Sequence, residues 1–96
     1  MDLGTVIKNI RKDRQQTQNE LAANCDITQT YLSQIEGNKK EPNLSVLKKI
    51  SACLDVPLPV LFFLSLNEQD IDPNKREAFK LLNLPLKNLV GDVFGL

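Results

Sequence analysis

Apolar residues recur every three or four positions along most of the chain, which is the period of helices and not of strands. Leu3, Val6, Ile7 and Ile10 give a first helix one apolar face, with Lys8, Arg11, Lys12 and Arg14 on its other faces. Asp2 is its N-cap, so the helix is expected from about Leu3 to Arg14. Thr17-Gln18-Asn19-Glu20 has the S/T-x-x-E form, in which the Thr and Glu side chains satisfy each other's backbone amides. It opens a short second helix carrying Leu21 and Ala22 and ending near Asn24. Asn24 to Ile27 reads as a tight turn. Thr28 caps a third helix, Gln29 to Glu36, with Leu32 and Ile35 inward, and Gly37 and Asn38 tolerate the left-handed backbone that stops it.

Lys39 to Pro42 form a charged loop, and Asn43 caps a fourth helix with Leu44, Leu47, Ile50 and Leu54 on one face. Val56-Pro57-Leu58-Pro59 closes that helix and begins a fifth near Leu58 to Leu64, since proline suits a first turn. Residues 65–72 are polar and acidic and read as a linker. Asp72-Pro73 then looks like an N-cap and first position of a helix through about Asn83. Pro85 is expected to interrupt it before Leu86, Leu89, Val90, Val93 and Phe94 resume the apolar stripe. The expected organisation is a domain over residues 1–64, a linker over 65–72 and a helical tail over 73–96. No strand, repeat or low-complexity segment is evident.

Ninety-six residues allow one small domain with an appendage. Lys plus Arg number 12 and Asp plus Glu number 12, a balance that argues against a generic polyanion binder. The neutrality is uneven: residues 1–49 hold eight bases and six acids, a net of +2, and residues 50–96 hold four and six, a net of −2. A chain so balanced is expected to bind nucleic acid weakly without sequence preference and with a modest salt dependence. Histidine is absent, which removes imidazole as base, acid or metal ligand. With no nucleophile beside a base and no Gly-rich phosphate loop, an enzyme is not expected, and neither is a cofactor or a metal.

Cys25 and Cys53 are too few for a disulfide framework or a zinc site, and read as free thiols in a reduced, cytoplasmic protein. Met1-Asp2 does not resemble a secretory leader. The strongest apolar run, Val56 to Leu66, is eleven residues with two prolines, short of the ~20 that cross a bilayer, so no membrane is expected.

Two short helices joined by a tight turn, second and third in a bundle, form a helix-turn-helix pattern, here over about residues 18–36. Gln18 to Ala22, then Ile27 to Glu36, then Lys39 and Pro42 resemble the phage-repressor (Cro-like, xenobiotic-response-element) helix-turn-helix family. The resemblance covers residues 3 to about 64 and implies an all-α, five-helix lambda-repressor-like DNA-binding domain followed by a short helical tail. Asp26 and Asn38 stand where the family usually has glycine.

The resemblance implies double-stranded DNA as partner. Gln29, Thr30, Ser33 and Gln34 are polar and uncharged on the outer face of the third helix, where positions matching Gln29, Thr30 and Gln34 face base edges. Glutamine suits adenine N6 and N7, and a threonine methyl suits the thymine methyl. Phosphate contacts are expected from Gln18, Thr28, Tyr31, Asn38, Lys39, Lys40 and Asn43. Arg11 and Glu36 are implied as a structural ion pair bracing the first helix against the third.

The tail carries more apolar surface than one short helix hides. Phe62, Phe63, Phe79, Leu82, Leu86, Leu89, Val90, Val93 and Phe94 are the expected seam of a symmetric homodimer, which places two half-sites roughly 34 Å apart. Two alternatives stand beside it: the tail folds back on the fifth helix, or it receives another protein, as in antitoxin-like modules. The 32 residues after Leu64 are too few for a separate small-molecule domain. The expected role is a sequence-specific transcriptional regulator, most simply a repressor.

Overall fold

The computed structural model describes residues 1–96 and is entirely helical. Helices α1 (Leu3–Asp13), α2 (Gln18–Asn24), α3 (Gln29–Glu36), α4 (Leu44–Leu54) and α5 (Leu58–Ser65) precede a long α6 (Arg76–Phe94), with single 3-10 turns at Glu68–Asp70 and Pro73–Lys75. Each expected cap is made. Asp2 Oδ1 accepts from Thr5 N at 3.2 Å, Thr28 Oγ1 from Tyr31 N at 3.0 Å, and Asn43 Oδ1 from Val46 N at 2.9 Å. Thr17 and Glu20 form the reciprocal pair, with Glu20 N donating to Thr17 Oγ1 and Thr17 N to Glu20 Oε1.

The core is built from residues 7–61. Ile7 and Ile10 of α1 meet Leu21 and Ala22 of α2, Leu32 and Ile35 of α3, Leu47, Ile50 and Leu54 of α4, then Val56 and Leu61, all buried. Each of these side chains except the small Ala22 contributes roughly 1.5–3 kcal/mol on leaving water. Ile27 packs against this core only half-buried. Gly4 is where α1 meets the end of α3: a Cβ there would sit 2.6 Å from Asn38 Oδ1 and 2.8 Å from the Glu36 carbonyl. Any larger residue would force these helices apart.

Asp26 (φ 56°) and Asn38 (φ 57°) both take left-handed backbone, as their replacement of glycine requires. Gly37 does not, with φ −86°. Asn38 alone turns the chain, because its side chain is then bonded to the start of α1. Gln15 and Asp55 are also left-handed, where α1 and α4 end.

Two expectations about the C-terminal third need correction. Pro85 does not interrupt the last helix, and α6 runs unbroken through it. Proline removes one internal hydrogen bond, that to the Leu81 carbonyl, and Leu81 is 78% exposed, so water reaches this side of the helix. Asp72-Pro73 opens a 3-10 turn, closed by Lys75 N to Asp72 O at 2.8 Å, and the α-helix itself starts at Arg76. The 65–72 segment is also tied down. Asp2 N donates to Ser65 O at 3.0 Å, the terminal amine of Met1 pairs with Asp70, and Arg76 Nε donates to Glu68 O and Ile71 O.

Helix α6 is held to the body along one side. Lys87 Nζ donates to Leu66 O, and the Arg14 guanidinium donates to Phe94 O (2.8 Å), Gly95 O (3.0 Å) and Leu54 O (3.1 Å). One side chain thus ends both α4 and α6, where carbonyls lack helical partners. No helix is long and apolar enough to cross a membrane.

Candidate nucleic-acid interface

Helix α3 turns Leu32 and Ile35 into the core and presents Gln29, Thr30 and Ser33 to solvent, with Gln34 half-buried beside them. Thr30, Ser33 and Gln34 side chains make no internal hydrogen bond. The Thr28 cap fixes the helix start, leaving these donors and acceptors together on one uncharged face.

Gln29 is the exception, since it is already bonded. Its Nε2 donates to Gln18 Oε1 at 2.7 Å, and Gln18 Nε2 donates to Glu36 Oε1 at 3.0 Å. Glu36 in turn receives a two-point bond from Arg11, Nε to Oε2 at 2.7 Å and Nη2 to Oε1 at 2.9 Å. Arg11 also donates from Nη1 to the Gln16 carbonyl at 2.8 Å. Arg11 and Glu36 are 7% and 5% exposed, so their charges are spent inside the fold. A chain of bonds therefore runs from α1 through the buried pair to Gln18 and out to Gln29. Arg11 and Glu36 pair as the resemblance implied. Gln18, expected to touch phosphate, bonds to both of these neighbours, which orients the first residue of α3, and keeps one Nε2 hydrogen unbonded.

The residues expected at the backbone fall into two groups. Lys39 and Lys40 are exposed and make no ion pair; their main-chain amides both reach back to Gln34 O, which sets the loop against the end of α3. Tyr31 is half-buried and packs on the core edge. Thr28, Asn38 and Asn43 already use their side-chain oxygens within the protein. Thr28 and Asn43 retain a free donor, the hydroxyl hydrogen and the Nδ2 group.

Asn38 is more engaged, because its Oδ1 accepts from Gly4 N at 3.0 Å and its Nδ2 donates to Asp2 Oδ1 at 2.6 Å. The Asn38 side-chain amide, followed by the Thr5 side chain, holds the Asp2 carboxyl below the usual carboxylate range. Asp2 and Gly4 thus anchor the loop that carries the two lysines. A glycine within an otherwise apolar helical stretch was the sequence sign of that close approach. Nothing in the sequence pointed to Arg14, whose partners are main-chain carbonyls of residues about forty and eighty positions away.

The nine residues expected at a dimer seam lie on two faces. Phe79, Val90 and Phe94 are half-buried on the side of α6 turned to the body, and Phe62 and Phe63 are half-buried on α5. Leu82 (58% exposed), Leu86 (43%), Leu89 (60%) and Val93 (67%) form a separate outward stripe. Their spacing of four, three and four residues is that of a coiled-coil seam. Apart from Met1 and Leu44, every large apolar residue left exposed lies on α6.

The helix-turn-helix family model matches residues 7–61, the stretch that supplies the core. The HTH-type transcriptional regulator SinR of Bacillus licheniformis is 39% identical over 94 residues, covering 97% of this chain and 78% of that protein. The immunity repressor protein of Bacillus phage phi105 is 34% identical over 61 residues, which is 64% of this chain and 42% of its own length. Control protein C.MunI of Mycoplasma sp. is 40% identical over 60 residues, 62% of this chain and 81% of its own. No solved structure matches the chain. From its matched core, its capped α2–turn–α3 unit and these relatives, the chain belongs to the helix-turn-helix family.

Proposed function

We propose that this protein is a repressor that binds a two-fold operator as a homodimer, reading bases with α3. That it is a DNA-binding transcription regulator, and not an enzyme, follows from its family and from relatives named as transcriptional regulators and a repressor. The observation that carries the finer reading is the Gln18–Gln29 bond at 2.7 Å. It leaves the Gln29 carbonyl and second amide hydrogen unbonded on an exposed residue, the pattern that adenine N6 and N7 complement. Thr30, Ser33 and Gln34 extend the face, while Lys39 and Lys40 take phosphates, joined by Gln18, Thr28, Tyr31, Asn38 and Asn43 through the donors they have left.

In this reading residues 1–64 are the DNA-binding unit, 65–72 a connecting segment and 73–96 the dimerisation element. The exposed Leu82, Leu86, Leu89 and Val93 stripe supports self-association through α6, because a monomer gains nothing from an apolar seam in water. The same stripe favours a second reading, a tail that receives a different protein.

Selection of bound sequences from a random DNA pool tests the proposal. The expected product is a palindrome with half-sites about one helical turn apart, roughly 34 Å. A single, non-palindromic half-site would remove the homodimer, and no enrichment would remove sequence-specific binding. Sedimentation of the protein alone separates the two readings of the tail, with a dimer favouring the first and a monomer the second.

A further inference from the structure

The two cysteines lie against each other at the turn that joins α2 to α3. Cys25 follows α2 directly and is 1% exposed, while Cys53 of α4 is only half-buried. The Cys53 thiol donates to the main-chain carbonyl of Asn24 at 3.4 Å, so its sulfur rests on the residue preceding Cys25. Cys53 is also a neighbouring group that acts on the Cys25 thiol. Burial first, and the adjoining Cys53 second, push the Cys25 thiol up to about 12. Cys25 is therefore protonated and shielded, and a reagent arriving from solvent meets Cys53. Neither thiol belongs to the outer face of α3.

We propose that Cys25 and Cys53 form an oxidisable pair, in which the Cys53 sulfur attacks a hydroperoxide and Cys25 closes an intramolecular disulfide. In the first step the Cys53 sulfur takes one oxygen from hydrogen peroxide, becoming a sulfenic acid as the peroxide is reduced to water. In the second, the Cys25 sulfur attacks the Cys53 sulfur and the S–O bond breaks. The departing hydroxide leaves with the Cys25 proton as water. One peroxide and two thiols give one disulfide and two waters.

The bond has a mechanical result. A disulfide holds its sulfurs about 2 Å apart, closer than any non-bonded pair, so closing it draws α4 and the turn together. The close-packed interior passes such a displacement on instead of absorbing it. The closed loop contains all of α3 and the Lys39-Lys40 loop, so the turn that aims α3 moves. This consequence rests on α3 being the DNA-reading helix; the disulfide itself does not.

The test treats the reduced full-length protein with hydrogen peroxide, alkylates remaining thiols in denaturant and maps the peptides. Both thiols are expected to disappear together within one chain as a Cys25–Cys53 linked peptide. Cys25→Ala should stop at a Cys53 sulfenic acid trapped by dimedone, and Cys53→Ser should leave Cys25 alkylatable; melting curves verify that both variants fold. Over-oxidised Cys53 beside an alkylatable Cys25, a covalent dimer, or no oxidation would each overturn the site.

Binding to pool-selected DNA is then compared for the two forms. The oxidised form should bind at least tenfold more weakly, with full recovery in dithiothreitol. Equal affinity would overturn the effect on reading. A reduced protein that binds no DNA would defeat the proposed function and this coupling with it, while peptide mapping still decides the disulfide.

Discussion

Gln29 enters the solvent face of α3 with its amide already bonded to Gln18, Nε2 to Oε1 at 2.7 Å. With Gln29 reading a base as proposed, Gln29→Ala is expected to cost ~1–3 kcal/mol on the preferred DNA and little on random DNA. Gln18→Ala removes the aim together with Gln18's own spare donor, and is expected to cost about 0.5–1.5 kcal/mol. Because the two act through one bond, the double variant should lose less than the two single losses together. Strict additivity in a binding cycle would show that Gln18 acts on DNA independently.

Lys39→Ala should weaken specific and non-specific binding equally and reduce the salt slope by about 1, since one fewer counterion is released. Titrations at several salt concentrations measure this directly. An unchanged slope would take Lys39 out of the interface.

Removing one partner of the buried Arg11–Glu36 pair strands the other. Glu36→Ala is expected to lose about 3–5 kcal/mol in urea unfolding. The paired replacement Arg11→Met with Glu36→Leu should recover much of that stability, yet leave Gln18 without its acceptor and DNA selectivity reduced. Recovery of both together would disconnect the ion pair from reading.

On α6, Leu86→Glu with Leu89→Glu places charges on exposed residues of the outward stripe. Folding stability should stay within about 0.5 kcal/mol, as for ordinary surface changes. Sedimentation should report monomer, and affinity for a two-fold site should fall toward that for a half-site. An unaltered dimer would locate the seam elsewhere.

Asp2 makes stability depend on acidity. Its folded value is lowered, so the carboxylate stabilises the native state above its unfolded value, near 3.8, and loses that effect as pH falls through the lower folded value. Asp2→Asn should therefore melt below the parent protein at pH 7, with the gap closing in strong acid. A gap independent of pH would mean that the capping geometry and not the charge matters.

Helix ends were legible in the sequence because the caps are local: Thr17, Thr28 and Asn43 each bond to an amide three residues on. The five-helix core followed from the same periodicity, and the outer face of α3 from its being polar next to Leu32 and Ile35. The relations that were not legible are between distant residues. Asn38 reads as a helix-ending residue, and its bond to Gly4 depends on how α1 crosses α3. Gln18 reads as a free donor until α2 and α3 are placed against Glu36. Pro85 misleads for a different reason, since local propensity marks a break while ties on both sides of it, from Arg76, Lys87 and Arg14, keep the helix whole.

The line of bonds from Arg11 to Gln29 also sets what portion of this protein is transferable. Grafting α3 alone onto another scaffold would carry Gln29 without the amide that aims it, and the new host would read a different or looser sequence. The smallest portable reading head is residues 18–36 together with an arginine on the host's first helix placed to meet Glu36. With α3 reading bases as proposed, operator preference would be inherited through a residue of α1 that lies inside the protein, away from the reading face.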